Sequence, residues 1–188
     1  MKFQDTVVAK KMLSRITLKK IKTEIGHDLM GYYCDVYFDK NRVGYVNDDG
    51  CGGDVILEYK DKYIQKHIEQ ILKDNNVAQV LFETDYSFYD TVDKVGFQIQ
   101  ITCLVELKLN QIMSQKLINK RQKYTLSGIV FGTDDRYKAM RYKKPLSELM
   151  KIKGFKEKLQ KEYDKIKNSL KDNEKIFNTN LEDFGIKL

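Results

Sequence analysis

In "YYCDVYFD" (32–39), apolar positions such as Tyr33, Val36 and Phe38 are interleaved with polar ones, and "VGYVN" (43–47) resumes the pattern. A tight turn at 40–42, "KN" with Arg42, separates the two runs, so together they predict a β-hairpin. "DVILEY" (54–59) predicts a third strand, reached through a loop that holds Gly50, Gly52 and Gly53. Upstream, "ITLKKIKTEI" (16–25) alternates loosely and fits either a strand or a short helix.

The pattern then changes period. "DKYIQKHIEQILKDNN" (61–76) opens with an Asp cap and spaces Ile64, Ile68, Ile71 and Leu72 on one face, which predicts an amphipathic helix. "VAQVLFE" (77–83) reads as a fourth strand. Over 88–122 two patterns compete. Phe97, Ile99 and Ile101 alternate, whereas Phe88, Val92, Val95, Ile99, Leu109, Ile112 and Met113 fit a long helix weakened at Gly96. The helix is the preferred reading. "YTLSGIVFG" (124–132) predicts a strand that "RYKAMRY" (136–142) can pair with across "TDD", and "KKPLSEL" begins another helix. In 154–170, Phe155, Leu159, Tyr163, Ile166 and Leu170 form one stripe of a further amphipathic helix. Ile176, Phe177, Leu181, Phe184 and Ile186 make the tail too apolar to stay free.

These elements imply an α+β fold. A small antiparallel sheet from 32–59 and 77–83 packs on the 61–74 helix, and a helix-rich basic part follows. The division is expected at 87/88, with 1–87 and 88–188 packed as one body.

Composition narrows the function classes. With 41% hydrophobic and 11% aromatic residues among 188, the chain can bury a real core, and its single proline excludes a Pro-rich linker. Cys34, Cys51 and Cys103 form no CxxC pair, and only His27 and His67 are present, which argues against zinc sites and Ser-His hydrolases. No apolar run suits a leader or a membrane span, so the expected location is cytoplasmic, with reduced thiols. The net charge of +7 is uneven: 17 basic against 6 acidic residues in 115–171, and 8 against 14 in 31–114. A polar molecule with one polyanion-attracting side is implied.

Two stretches carry candidate chemistry. The first is the loop Asn47, Asp48, Asp49, Gly50, Cys51, Gly52, Gly53. Glycines there serve a tight turn with a bulge, or they aim successive amides at an anion. No GK[ST] follows, and a strand rather than a helix comes next, so neither nucleotide fingerprint fits. A nucleotide or small ligand held on this loop is one alternative. Another is a Mg²⁺-dependent nuclease of the D…ExK type, in which Asp49 and Glu58 hold the metal and Lys60 steadies the attacking water. Mg²⁺ enters only under that reading; otherwise no cofactor is expected.

The second stretch is "RYKAMRYKKP" (136–145). It interleaves Arg136, Lys138, Arg141, Lys143 and Lys144 with Tyr137 and Tyr142, and "NKRQKY" (119–124), with Arg121 and Lys123, extends it. As a strand it places Tyr137, Ala139, Arg141 and Lys143 on one face and Arg136, Lys138 and Met140 on the other. Cations neutralise phosphates and tyrosines stack on bases, while an edge strand guarded by lysines has the same composition.

"YYCDVYFDKNRVGYVNDDGCGGDV" resembles a pattern of small phage and mobile-element proteins, in which an N-D-G-x-G-G loop follows a β-hairpin. The likeness extends in outline to "QKYTLSGIVF"; it departs at "VILEYK", which is apolar and then charged. The resemblance implies a context, not an activity: an accessory protein in the cytoplasm of a bacterial host. Such proteins are often inhibitors of host defence, CRISPR nucleases included. The expectation is therefore a binding protein rather than an enzyme. Its partner would be a bacterial nucleoprotein complex or nucleic acid, engaged through the basic surface, with no membrane involved.

Overall fold

The predicted hairpin is the centre of a four-stranded antiparallel sheet whose strands lie side by side in chain order. The computed structural model describes residues 2–25, 30–52 and 55–188. Helix α1 (Val7–Arg15) leads into β1 (Ile16–Ile25), and β2 (Met30–Phe38), β3 (Asn41–Asp48) and β4 (Leu57–Tyr59) follow. Leu18, Val36, Cys34, Val46 and Leu57 are aligned by the strand register on one buried face. Lys19, Asp35, Tyr45 and Glu58 are aligned on the other.

The β2–β3 turn lies at Asp39 and Lys40, one position earlier than predicted, because both residues take positive φ (46° and 70°). Paired left-handed residues match the twist of a two-residue hairpin. The third predicted strand is shorter than expected, and Asp54 lies outside the described residues.

Asp61 caps α2 (Lys62–Asp74) by accepting the Ile64 N–H at 2.8 Å, as predicted. Residues 77–83 are not a strand. They form α3 (Val77–Thr84), entered through Asn76 at φ 52°. Val77 and Leu81, at i and i+4, are fully buried while Gln79 and Glu83 are exposed. A strand would turn all four to one face and bury the two polar side chains with the apolar ones, whereas the helix separates them. The fourth strand of the sheet is instead β1, which the sequence left open between strand and helix.

The long helix α4 (Phe97–Thr125) begins after Gly96, and residues 88–96 lie outside it. Gln100 is buried there and donates from Nε2 to the Val95 carbonyl at 2.9 Å, marking the break. Ile101, Leu104, Val105 and Leu109 are its buried stripe. No helix among the described residues is long and apolar enough to cross a membrane.

The chain divides into two compact units, Met1–Ile112 and Met113–Leu188, so the boundary falls inside α4 rather than at 87/88. The second unit contains β5 (Gly128–Gly132), β6 (Tyr137–Arg141), α5 (Leu146–Leu149), α6 (Phe155–Ser169) and β7 (Lys175–Ile176). Its sheet has the order β6-β5-β7. Ile129, Leu146, Leu159, Tyr163, Leu181 and Ile186 share one core, so the apolar tail docks as predicted.

Candidate functional site

The final turns of α4 bring Leu117, Lys120 and Tyr124 to one face by their i, i+3, i+7 spacing. In β6, alternation turns Tyr137, Ala139 and Arg141 the same way. These six residues and Arg136 line an open groove of about 560 Å³. The Arg141 guanidinium lies 4.1 Å from the centroid of the Tyr124 ring. Tyr137 meets that ring edge-on at 6.1 Å, and the Lys120 ammonium stands 5.9 Å from it.

Close backbone approach fixes Arg141. It pairs with Gly128 of β5, where a Cβ would lie 1.9 Å from the Met140 carbonyl oxygen. Any side chain at 128 would push β6, and Arg141 with it, off the sheet. At the other end of the strand, Arg136 is held by Thr133: its N–H donates to Thr133 Oγ1 at 3.1 Å, and its carbonyl accepts from the Thr133 N–H at 2.8 Å. Among the described residues, no carboxylate lies within ion-pair distance of Lys120, Arg136 or Arg141. The groove therefore presents three uncompensated cations and two tyrosine rings.

The other residues singled out from the sequence are dispersed. Tyr142 turns away from the groove and packs edge-on against Phe155 at 5.0 Å, and burial raises its hydroxyl pKa. It belongs to the core side. Arg121 lies 3.9 Å from the Phe177 ring centroid and 3.6 Å from Asp134, with only 16% of its side chain exposed, so it clamps the tail onto α4. Lys138 is exposed on the opposite side of β6, while Lys143, Lys144 and Lys123 are exposed outside the groove lining. Sequence reasoning placed Lys120 and Tyr124 only within a general basic extension. Their helical spacing with Leu117 puts the three on one face, but no signal in the sequence ties that face to β6.

The glycine loop answers to its own side chains. Gly50 and Gly52 take positive φ (70° and 79°), which accounts for both glycines by backbone conformation. The Gly50 N–H donates to Asp48 Oδ1 at 2.8 Å and the Cys51 N–H to Asp49 Oδ1 at 2.9 Å. Two consecutive Asx turns thus occupy the amides that an anion would need. Asn47 is exposed at the end of β3, and Gly53 lies outside the described residues. Cys51 is an exposed thiol, whereas burial pushes Cys34 up to about 11 and Cys103 up to about 12.

The nuclease constellation does not assemble. A Cβ on Gly31 of β2 would meet the Asp48 and Asp49 backbone, so Asp49 lies on the β2 side of β3. Glu58 lies on the far side, in β4 opposite Tyr45, and accepts the Tyr45 hydroxyl. Four positions along the chain separate Tyr45 from Asp49, roughly 13 Å at strand rise, too far for both carboxylates to hold one ion. Lys60 lines a pocket beside α2 that neither carboxylate reaches. No cluster of three His, Cys, Asp or Glu suited to a metal occurs among the described residues.

The outer sheet face carries the most heavily compensated charge. Asp35, fully buried, accepts from Arg42 Nη2 at 2.8 Å and Nε at 3.2 Å, and Lys20 Nζ lies 3.0 Å from its other oxygen. These hydrogen bonds, Arg42 first, hold its carboxyl below the ordinary Asp value. Comparison of the chain with protein-family models, with curated proteins and with solved structures gives no match.

Proposed function

We propose that this chain is a non-enzymatic binding protein that takes a nucleic-acid strand along the groove between α4 and β6. One observation carries the reading: the Arg141 guanidinium carbon lies over the Tyr124 ring, 4.1 Å from its centroid, beside Lys120, Arg136 and Tyr137, with no carboxylate in ion-pair range among the described residues. Single-strand binders combine such cations, which take phosphates, with planar groups on which bases stack. The outer plane of a guanidinium serves bases as an aromatic ring does. The contact with Tyr124 restrains the Arg141 side chain before the strand arrives, which lowers the ordering cost of binding. In the context implied by the loop resemblance, the strand belongs to a nucleoprotein complex of bacterial host defence, and occupying it inhibits that complex.

The test is fluorescence anisotropy with a labelled single-stranded RNA and a duplex DNA at two salt concentrations. The triple substitution Lys120→Ala, Arg136→Ala, Arg141→Ala should weaken single-strand binding about 100-fold. It should also lower the salt slope by roughly 0.7 for each phosphate no longer neutralised. Lys158→Ala, Lys161→Ala, Lys165→Ala removes the same charge from the exposed side of α6 and serves as the control. Equal losses in both triples would mean that affinity follows overall charge and that the groove has no special role.

A further inference from the structure

We propose that the pocket between the β2–β3 turn and α2 is a binding site for a nucleoside monophosphate, independent of the strand groove in the second unit. Its volume of about 430 Å³ lies within the usual range of small-ligand sites. Phe38, Val43 and Ile68 line it and are 3%, 3% and 2% exposed, so the floor is apolar and belongs to the core of the first unit. Arg42, Lys60 and His67 stand around it, and Tyr63, 82% exposed, rises from the first turn of α2.

Charge accounting favours a dianion. Among the described residues, Asp39 is the one carboxylate in the lining, and Arg15 already holds it through Nε at 3.0 and 3.2 Å and through Nη2 at 2.5 Å. Of the lining cations Arg42 is paired with Asp35, but Asp35 is shared with Lys20, so the cluster of one carboxylate and two cations to which Arg42 belongs is net positive. Lys60 has no carboxylate partner among the described residues. Its N–H is fixed by the Val43 carbonyl at 2.8 Å, which anchors the start of the side chain at the pocket edge. A phosphate monoester carries close to two negative charges at neutral pH and suits this excess better than a carboxylate. The apolar floor and the Tyr63 ring then receive the base, since every base has a stacking face.

Isothermal titration with adenosine 5′-monophosphate tests the assignment, with guanosine, cytidine and uridine monophosphates, adenosine and inorganic phosphate as parallel arms. Saturable binding of a monophosphate is expected, with adenosine and phosphate each weaker by about tenfold or more. Lys60→Ala and Tyr63→Ala should each lower the affinity about tenfold, and both residues are exposed, so the fold is retained. No saturable binding of any of the four monophosphates overturns the proposal, as does binding that survives both substitutions unchanged. A 5′-phosphorylated dinucleotide distinguishes the source of the ligand. Tighter binding than the mononucleotide supports the end of a strand, and weaker binding supports a free nucleotide. Because the groove triple substitution leaves this pocket intact, loss of strand binding and loss of nucleotide binding are separable results.

Discussion

Lys40 adopts φ 70° although its side chain gains nothing there: it is exposed, and the turn needs only backbone. An L-residue in the left-handed region costs about 1–2 kcal/mol, part of which glycine returns as unfolded-state entropy. Lys40→Gly should therefore stabilise the protein by about 0.5–1 kcal/mol, read as a higher urea midpoint at unchanged slope. Asp39, the other turn residue, must stay because Arg15 holds its carboxylate. At this scale the site was legible only in part: of the eight binding residues expected from the sequence, Arg136 and Arg141 line the groove. The basic and aromatic composition of 136–145 pointed to β6, and alternation assigned Tyr137 and Arg141 to one face. What composition could not reveal was engagement: Arg121 and Tyr142 look like ligand residues in the sequence, yet Phe177 and Phe155 claim them.

Among the elements, β5 depends on a side chain. Strand β7 is only two residues long, and beyond it Asn178 takes over as the strand's partner. Its Oδ1 accepts the Val130 N–H at 2.7 Å, and its Nδ2 donates to the Gly128 carbonyl at 2.9 Å. Asn178 is buried, so removing its amide leaves those two backbone groups without their partner and away from water. Asn178→Ala should cost about 2–4 kcal/mol, measured by chemical denaturation, while Asn180→Ala, whose residue is more exposed, costs less. Helix α2 was readable because its amphipathic stripe and its Asp61 cap agree, and α6 because its stripe runs through the whole element. The α3 segment misled for the opposite reason. Eight residues rich in β-branched and apolar side chains fit a strand locally; what decides for a helix is that Gln79 and Glu83, which alternation would bury beside Val77 and Leu81, are turned out to solvent. β1 carried too many lysines to declare itself, because one of its faces is solvated.

Over the whole chain, charge and stability are distributed unequally. Residues 1–112 carry 15 basic and 17 acidic groups, and residues 113–188 carry 19 and 10, so the second unit holds the entire positive excess. Acid should act on the first unit through Asp35. Its folded pKa lies below the ordinary Asp value of 3.8, so its contribution is complete above that value and disappears as pH falls through the lowered one. The loss is modest, because Lys20 and Arg42 are themselves exposed and regain water. Urea midpoints measured from neutral pH down to about pH 2 should show this acid limb, and Asp35→Asn should lower stability at neutral pH while flattening the limb. The glycine loop bears on a slower property, chemical ageing. Asp49-Gly50 is the single Asp-Gly bond of the chain, which has no Asn-Gly, and among aspartyl bonds Asp-Gly is the most prone to cyclise and rearrange to isoaspartate. That reaction needs the Gly50 nitrogen to attack the Asp49 carboxyl. In the fold, the Gly50 N–H is donated to Asp48 and the Asp49 carboxylate is held by the Cys51 N–H. The hydrogen bonds that deny the loop to an anion also protect its weakest covalent link, so the folded chain ages more slowly than the unfolded one.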